Sequence, residues 1–150
     1  EVVEKLEDMK NHLNVWFTVD DLFHLQRGGR VSKAVAVVGS ALNLKPFLYI
    51  TNEGGLSSAG TVRGRKKSLK TIVERMKASL GENPDYTLPV GIVHSICLED
   101  AQAVADMIKE ETQFTNIIIN DISPSIGTHA GPGAIGITYY GMEKPAKKAE

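Results

Sequence analysis

Hydrophobic and polar positions alternate along this chain in two periods, one helical and one extended. Val2, Leu6, Met9 and Leu13 recur three or four residues apart, with Glu4, Lys5, Glu7, Asp8 and Lys10 between them. This spacing predicts an amphipathic surface helix ending near Asn14. Val15 to Val19 has the composition of a strand. Asp20 or Asp21 can then cap a short helix through Gln26, which Gly28-Gly29 stops. Ser32 can cap a second helix carrying Val35, Val38 and Leu42, halted by Asn43 and Pro46.

Further along, Phe47 to Ile50 reads as a short strand and Asn52 to Gly55 as a turn, with Leu56 to Val62 returning as a hairpin. A strong helix is expected from Arg65 to Leu80, with Leu69, Ile72, Val73, Met76 and Leu80 on one face. Val90 to Val93 is a strand of the buried type. Ala101, Val104, Ala105 and Ile108 mark another helix, and strands follow at Asn116–Asn120 and Ala134–Tyr140. Helices alternating with short apolar strands predict an α/β fold, a two-layer sandwich in which helices cover a mixed β-sheet. One domain is expected over residues 1–143, with a polar tail at 144–150.

Composition narrows the classes of function. The chain has 150 residues, enough for one domain with a real core. Its formal net charge is −1, so no global field draws it to nucleic acid or to an anionic membrane. Cys97 is the only cysteine, which excludes an internal disulfide and a cysteine-based metal cluster. That usage fits a reducing compartment, and a cytoplasmic protein is expected. No apolar run is long enough to span a bilayer and no signal-peptide pattern is visible. The chain opens inside a helical pattern without Met, as a fragment of something longer would.

The segment Gly127 to Gly136 concentrates four glycines, Pro132 and His129 before the last strand. Two readings stand side by side. It is a tight turn into a strand, or a rigid loop whose successive N–H groups form a concavity for an anion beside an imidazole. Thr128 and Ser125 would add hydroxyls to such a site. A P-loop is excluded because the Gly-Lys-Ser/Thr ending is missing, and the spacing fails the dinucleotide fingerprint.

Three other places attract attention. From Arg63 to Lys77 the chain has seven basic residues and one acid, Glu74. Arg63 sits beside Gly64 just before a helix N-terminus, where the dipole prefers anions, so an anionic ligand is the reason to place it there. Arg65, Lys66, Lys67 and Lys70 read as a solvated helix face. Arg27 and Arg30 flank Gly28-Gly29 in an exposed corner suited to a partner protein. His94-Ser95 ends a strand, where a lone histidine is more often a structural hydrogen-bonder, and His12 and His24 fall in helical surface patterns. No pair of His, Asp or Glu has metal-ligand spacing, so no metal is expected.

Taken in order, Phe17-Thr18-Val19-Asp20-Asp21-Leu22 with Leu25 and Gly28-Gly29-Arg30-Val31, then Leu44-Lys45-Pro46, then Val62-Arg63-Gly64 with Lys66-Lys67, then His129 with Gly131-Pro132-Gly133 and Gly136, resemble the DegV family. The resemblance spans about residues 15–141 and corresponds to the family's C-terminal domain. DegV-like proteins are two-domain bacterial fatty-acid-binding proteins, and some are the lipid-carrying subunit of a fatty-acid kinase. The resemblance implies an EDD-type domain with a mixed sheet, packed on an N-terminal domain that this chain lacks. It implies a long-chain fatty acid as bound ligand, no cofactor, and the kinase's catalytic subunit as partner. Arg63 and His129, with Thr128, Gly131 and Gly133 around them, would hold the carboxylate, while Arg30 and its neighbour Arg27 would face the kinase. The family's N-terminal hydroxyl ligands have no counterpart here.

Two other classes are weighed against this non-catalytic carrier. One is an enzyme acting on a small phosphorylated substrate with His129 as general acid or base, oriented by Asp121 or Ser125. The other is nucleic-acid binding through Arg63–Lys77, which the near-neutral charge and absent aromatic interleaving disfavour.

Overall fold

The computed structural model describes residues 1–30 and 42–146. The helix expected after Ser32 lies outside the described residues. In chain order the elements are α1 (Val2–His12), β1 (Leu13–Thr18), α2 (Leu22–Arg27), β2 (Leu44–Ile50), β3 (Leu56–Arg63) and α3 (Arg65–Ala78). Then follow β4 (Val90–His94), α4 (Leu98–Glu111), β5 (Ile117–Asp121), α5 (Pro124–Ala130) and β6 (Ile135–Tyr140). The six strands form one mixed sheet in the order β3-β2-β1-β6-β4-β5. Only β4 and β5 are parallel, and α4 is the crossover that a parallel pair requires.

The expected α/β architecture is therefore present. Strand periodicity sends Trp16, Phe47, Tyr49, Ile92, Ile137 and Tyr139 to one face of the sheet, where they meet Leu69, Ile72, Val73 and Met76 of α3 and Val104 and Ile108 of α4. Burial of side chains of this size contributes roughly 1.5–3 kcal/mol each. The parallel helices α3 and α4 are pinned at both ends, by Arg65–Asp100 at 2.8 Å and Lys77–Glu111 at 2.7 Å. Arg65 is thus not the solvated cation that its place in a basic run suggests. It turns inward because Asp100, in the first turn of α4, offers a carboxylate at the shared end of the two helices.

The opposite face is covered differently. α2 and α5 reach over it, and Val19, Leu22, Leu25, Leu48, Ala130 and Ala134 form a second, smaller cluster. Asp21 caps α2 as expected, its side chain accepting from the Phe23 N–H at 2.8 Å. At the other end the Arg30 N–H reaches back to the Leu25 carbonyl at 2.9 Å, closing the helix around Gly29.

Two local expectations are corrected, while α1 is the surface helix expected. Pro46 lies within β2 rather than marking a helix end, and its carbonyl accepts from the buried Thr18 hydroxyl at 2.7 Å. The apolar stripe of α1 is not buried, because no described element covers it; Val2 and Leu6 are 73% and 59% exposed. Most consequentially, Thr128 and His129 belong to a helix and not to a loop. Ser123 caps α5 by accepting from the Ile126 N–H, and Pro124 occupies its first turn.

Gly131 ends α5 at φ 77°, and a Cβ there would sit 2.6 Å from the His24 ring. Gly131→Ala is therefore expected to destabilise the fold by about 2 kcal/mol in urea titration, since rigid ring and backbone cannot both give way. Gly29→Ala, at φ 74° but facing open space, should cost only about 1 kcal/mol, from backbone strain alone. Asp100→Ala, which strands a half-buried guanidinium, should cost about 1–2 kcal/mol by the same measurement.

Candidate functional site

The sheet ends that carry Thr18, His94, Asp121 and the start of β6 lie together, because Ile135 pairs with both Thr18 and His94 and Asp121 pairs with His94. From this end α5 folds back over the less covered face. Beneath it runs a groove of about 510 Å³. Val15 and Phe17 of β1, Ile50 of β2, Leu56 of β3, Val93 of β4 and Gly136 of β6 form its floor, and Ile122, Ile126 and Ala130 its wall. Its polar members are few: Arg30, Ser125 and His129. An apolar trough with a small polar end suits an amphiphile with one charged terminus.

His129 occupies the last turn of α5, half-buried, with its ring against the Gly28 backbone. A Cβ on Gly28 would come within 2.8 Å of the ring's Nδ1. That atom is buried and has no hydrogen-bond partner among the described residues. An unmet group of this kind costs roughly 1–3 kcal/mol. Neither Asp121 nor Ser125 orients the ring; Asp121 instead lies 3.7 Å from His94 Nε2. No hydrogen bond pairs His129 Nδ1 with either group among the described residues.

The structure brings His129 together with the Gly28-Gly29-Arg30 corner, which the sequence separates by about a hundred residues. Arg30 lines the groove, its guanidinium donating to the Gly28 carbonyl. Arg27 points elsewhere, 3.3 Å from His24 Nδ1 and 3.8 Å from Asp21. Arg63 stands apart at the end of the edge strand β3, exposed and outside the groove lining. Its pairing with Leu44, four residues from Leu48 of the second cluster, puts it on the groove's face of the sheet.

The glycine-rich segment does not form the anion concavity considered for it. The Gly131 N–H donates to the Gly127 carbonyl and the Gly133 N–H to the Ser95 carbonyl, each at 2.8 Å, so neither faces a ligand. The Thr128 hydroxyl is likewise occupied by the Pro124 carbonyl at 2.8 Å. The glycines serve close approach: a Cβ at Gly133 would strike Asp20, as one at Gly131 would strike His24.

The remaining histidines are structural. His24, read from sequence as a surface residue, donates from Nε2 to the Thr128 carbonyl at 2.8 Å and ties α2 to α5. His94 is buried and accepts from the Cys97 N–H. His12 bonds the Gly141 carbonyl at 3.0 Å. Burial pushes the Cys97 thiol above its ordinary pKa, against the opposing pull of Arg65, so the thiolate needed for nucleophilic chemistry is scarce at neutral pH. Sequence reasoning missed the groove floor. The signal was present in Val15-Trp16-Phe17, apolar on both faces of its strand, which calls for cover on both sides.

Known proteins match this arrangement over nearly the whole chain. A DegV domain-containing protein of Clostridium perfringens is 39% identical over 144 residues, covering 96% of this chain and 49% of that protein. The crystal structure of a DegV lipid-binding protein from Thermotoga maritima superposes with a TM-score of 0.79 at 27% identity, over 95% of this chain and 49% of that one. The Streptococcus pneumoniae fatty acid kinase B3 protein, solved loaded with linoleic acid, shares the fold at a TM-score of 0.78 and 21% identity, over 93% and 48%. The chain thus spans about half the length of the relatives it matches. No helix among the described residues is long and apolar enough to cross a membrane. The family model described as "Uncharacterised protein, DegV family" matches residues 1–141, and the chain belongs to the DegV family.

Proposed function

We propose that this chain supplies one wall of a fatty-acid site and holds the ligand without transforming it. The observation that carries this reading is the apolar groove whose few polar lining residues include Arg30 and His129. The acyl chain lies along the floor from Phe17 to Ile50 and Leu56, and the carboxylate sits at the His129 end. A carboxylate accepting from a guanidinium or imidazole makes the short, charge-assisted bonds that such a ligand needs. Arg63, on the same face and at the same end of the sheet, adds a longer-range attraction. Thr128, Gly131 and Gly133 act by shaping the α5 end rather than by direct contact.

Relatives described as fatty-acid or lipid binders support this reading. So does their length, twice that of this chain, because an open trough needs a second wall. The proposal therefore includes a second, N-terminal domain as the opposite wall, and a kinase catalytic subunit in the cytoplasm that receives the exposed carboxylate. Arg27, which does not line the groove, is the residue to which this reading assigns the contact with that subunit.

Fatty acid is expected to co-purify with the intact two-domain protein and to be seen by native mass spectrometry, and a fluorescent fatty acid displaced by palmitate gives the affinity. His129→Ala and Arg30→Ala should each weaken palmitate binding about tenfold or more, the worth of one charge-assisted hydrogen bond. Arg27→Ala should leave palmitate affinity unchanged while lowering the yield of phosphorylated acyl product with the kinase. No bound lipid and no displacement at any concentration would overturn the reading.

A further inference from the structure

Gly136 lies in the middle of the sheet, on β6, between Phe17 of β1 and Val93 of β4. All three line the groove, and Gly136 is buried at its floor. Glycine in a strand interior sacrifices stability, so its presence there calls for a cause. The other two strand-interior glycines have one inside the protein. A Cβ on Gly60 would press on the Phe47 ring at 3.0 Å, with φ at 138°, and one on Gly91 would strike the Thr138 methyl at 2.6 Å. Gly136 has neither reason. Its φ is not positive, and a Cβ there would meet Phe17 Cβ and Val93 Cγ2 at 3.4 Å, an ordinary contact.

The fold therefore accommodates alanine at 136 without moving anything, and the space that alanine would take belongs to the groove. Resting on the fatty-acid reading of that groove, we infer that Gly136 is the residue that sets its clearance: the ligand runs against bare backbone between Phe17 and Val93, and the site selects a slender, unbranched methylene chain at this depth. Gly136 lies one residue inside Ile135, which pairs with the sheet-end residues Thr18 and His94, so the narrow passage falls close to the polar end. A methyl branch near the carboxylate would have to share this space with the strand backbone. A methyl-sized change in a tight apolar site is worth roughly ten- to two-hundredfold in selectivity. The same volume is at stake whether the branch is on the ligand or on residue 136.

Gly136→Ala and Gly136→Val are compared with the unchanged protein, each in the two-domain form that carries both walls, by palmitate displacement of a fluorescent fatty acid, with thermal melting alongside. The expected result is a loss of palmitate affinity of about tenfold for Gly136→Ala and a larger one for Gly136→Val. The melting temperature of Gly136→Ala should be equal or higher, because a glycine has been removed from a strand. A second arm uses 3-methylpalmitate, which should bind the unchanged protein about tenfold more weakly than palmitate. Palmitate affinity unchanged in both folded variants, in a protein that itself binds palmitate, would overturn the inference and leave the groove reading intact. An unchanged protein that binds no fatty acid would overturn both. Should Gly136→Val melt early, Gly136→Ala and the branched ligand still decide the question.

Discussion

The site depends on how closely α2 and α5 approach each other, and two reciprocal histidine–glycine contacts set that distance. The His24 ring of α2 lies over Gly131, at the end of α5, while the His129 ring of α5 lies over Gly28, at the end of α2. Any side chain at either glycine would push the helices apart. His24 also donates to the Thr128 carbonyl, so the pair is bonded as well as packed. A consequence is that the two segments with the clearest sequence signals, the Gly-Gly-Arg corner and the glycine-rich stretch, form a single structural unit. Gly28 and Gly131 are there to let imidazoles in, and the groove-facing groups are the side chains that this packing orients.

This unit covers only part of its side of the sheet. On the other side α3 and α4, fourteen residues each, pack along the sheet, with Ile72, Val73, Met76, Val104 and Ile108 all fully buried. On the groove side α2 and α5 have six and seven residues. Among the described residues these two short helices do not span the six strands, and Val15, Phe17, Ile50 and Val93 form a floor that they roof only in part. Exposed apolar surface of this extent in a trough is the usual mark of a binding groove.

How much of this was readable beforehand follows from how local each signal is. The long helices and short apolar strands announced the α/β architecture, since periodicity over ten or more residues is a strong signal. The Asp21 cap and the Gly28-Gly29 stop were equally plain. α5 was obscured by its glycine and by the glycine run after it, although Ser123-Pro124 is a helix start in its own right. Arg65 looked solvated because its partner, Asp100, lies 35 positions away and periodicity says nothing of it. The groove escaped notice for a related reason: a space is defined by what several elements fail to fill, and no single segment carries that information. The ordered family motifs pointed toward a bound ligand only through what the resemblance implies, and not through any feature of one segment.

The distribution of charge at this end of the sheet completes the argument for an anionic terminus on the ligand. Arg65 is answered by Asp100 on the α3–α4 side. Lys45 is nearly buried and answered by Asp20 at 2.8 Å, which the contact with Gly133 holds in place. Arg27 has Asp21 nearby. No ion pair joins Arg30 or Arg63 to a carboxylate among the described residues, and both lie on the groove's face. A protein of nearly balanced net charge has thus left two cations unmatched on the face where an apolar trough ends. A neutral lipid would gain nothing from them, and a cationic amphiphile would be repelled. A carboxylate on an acyl chain matches both the trough and the charge at its end.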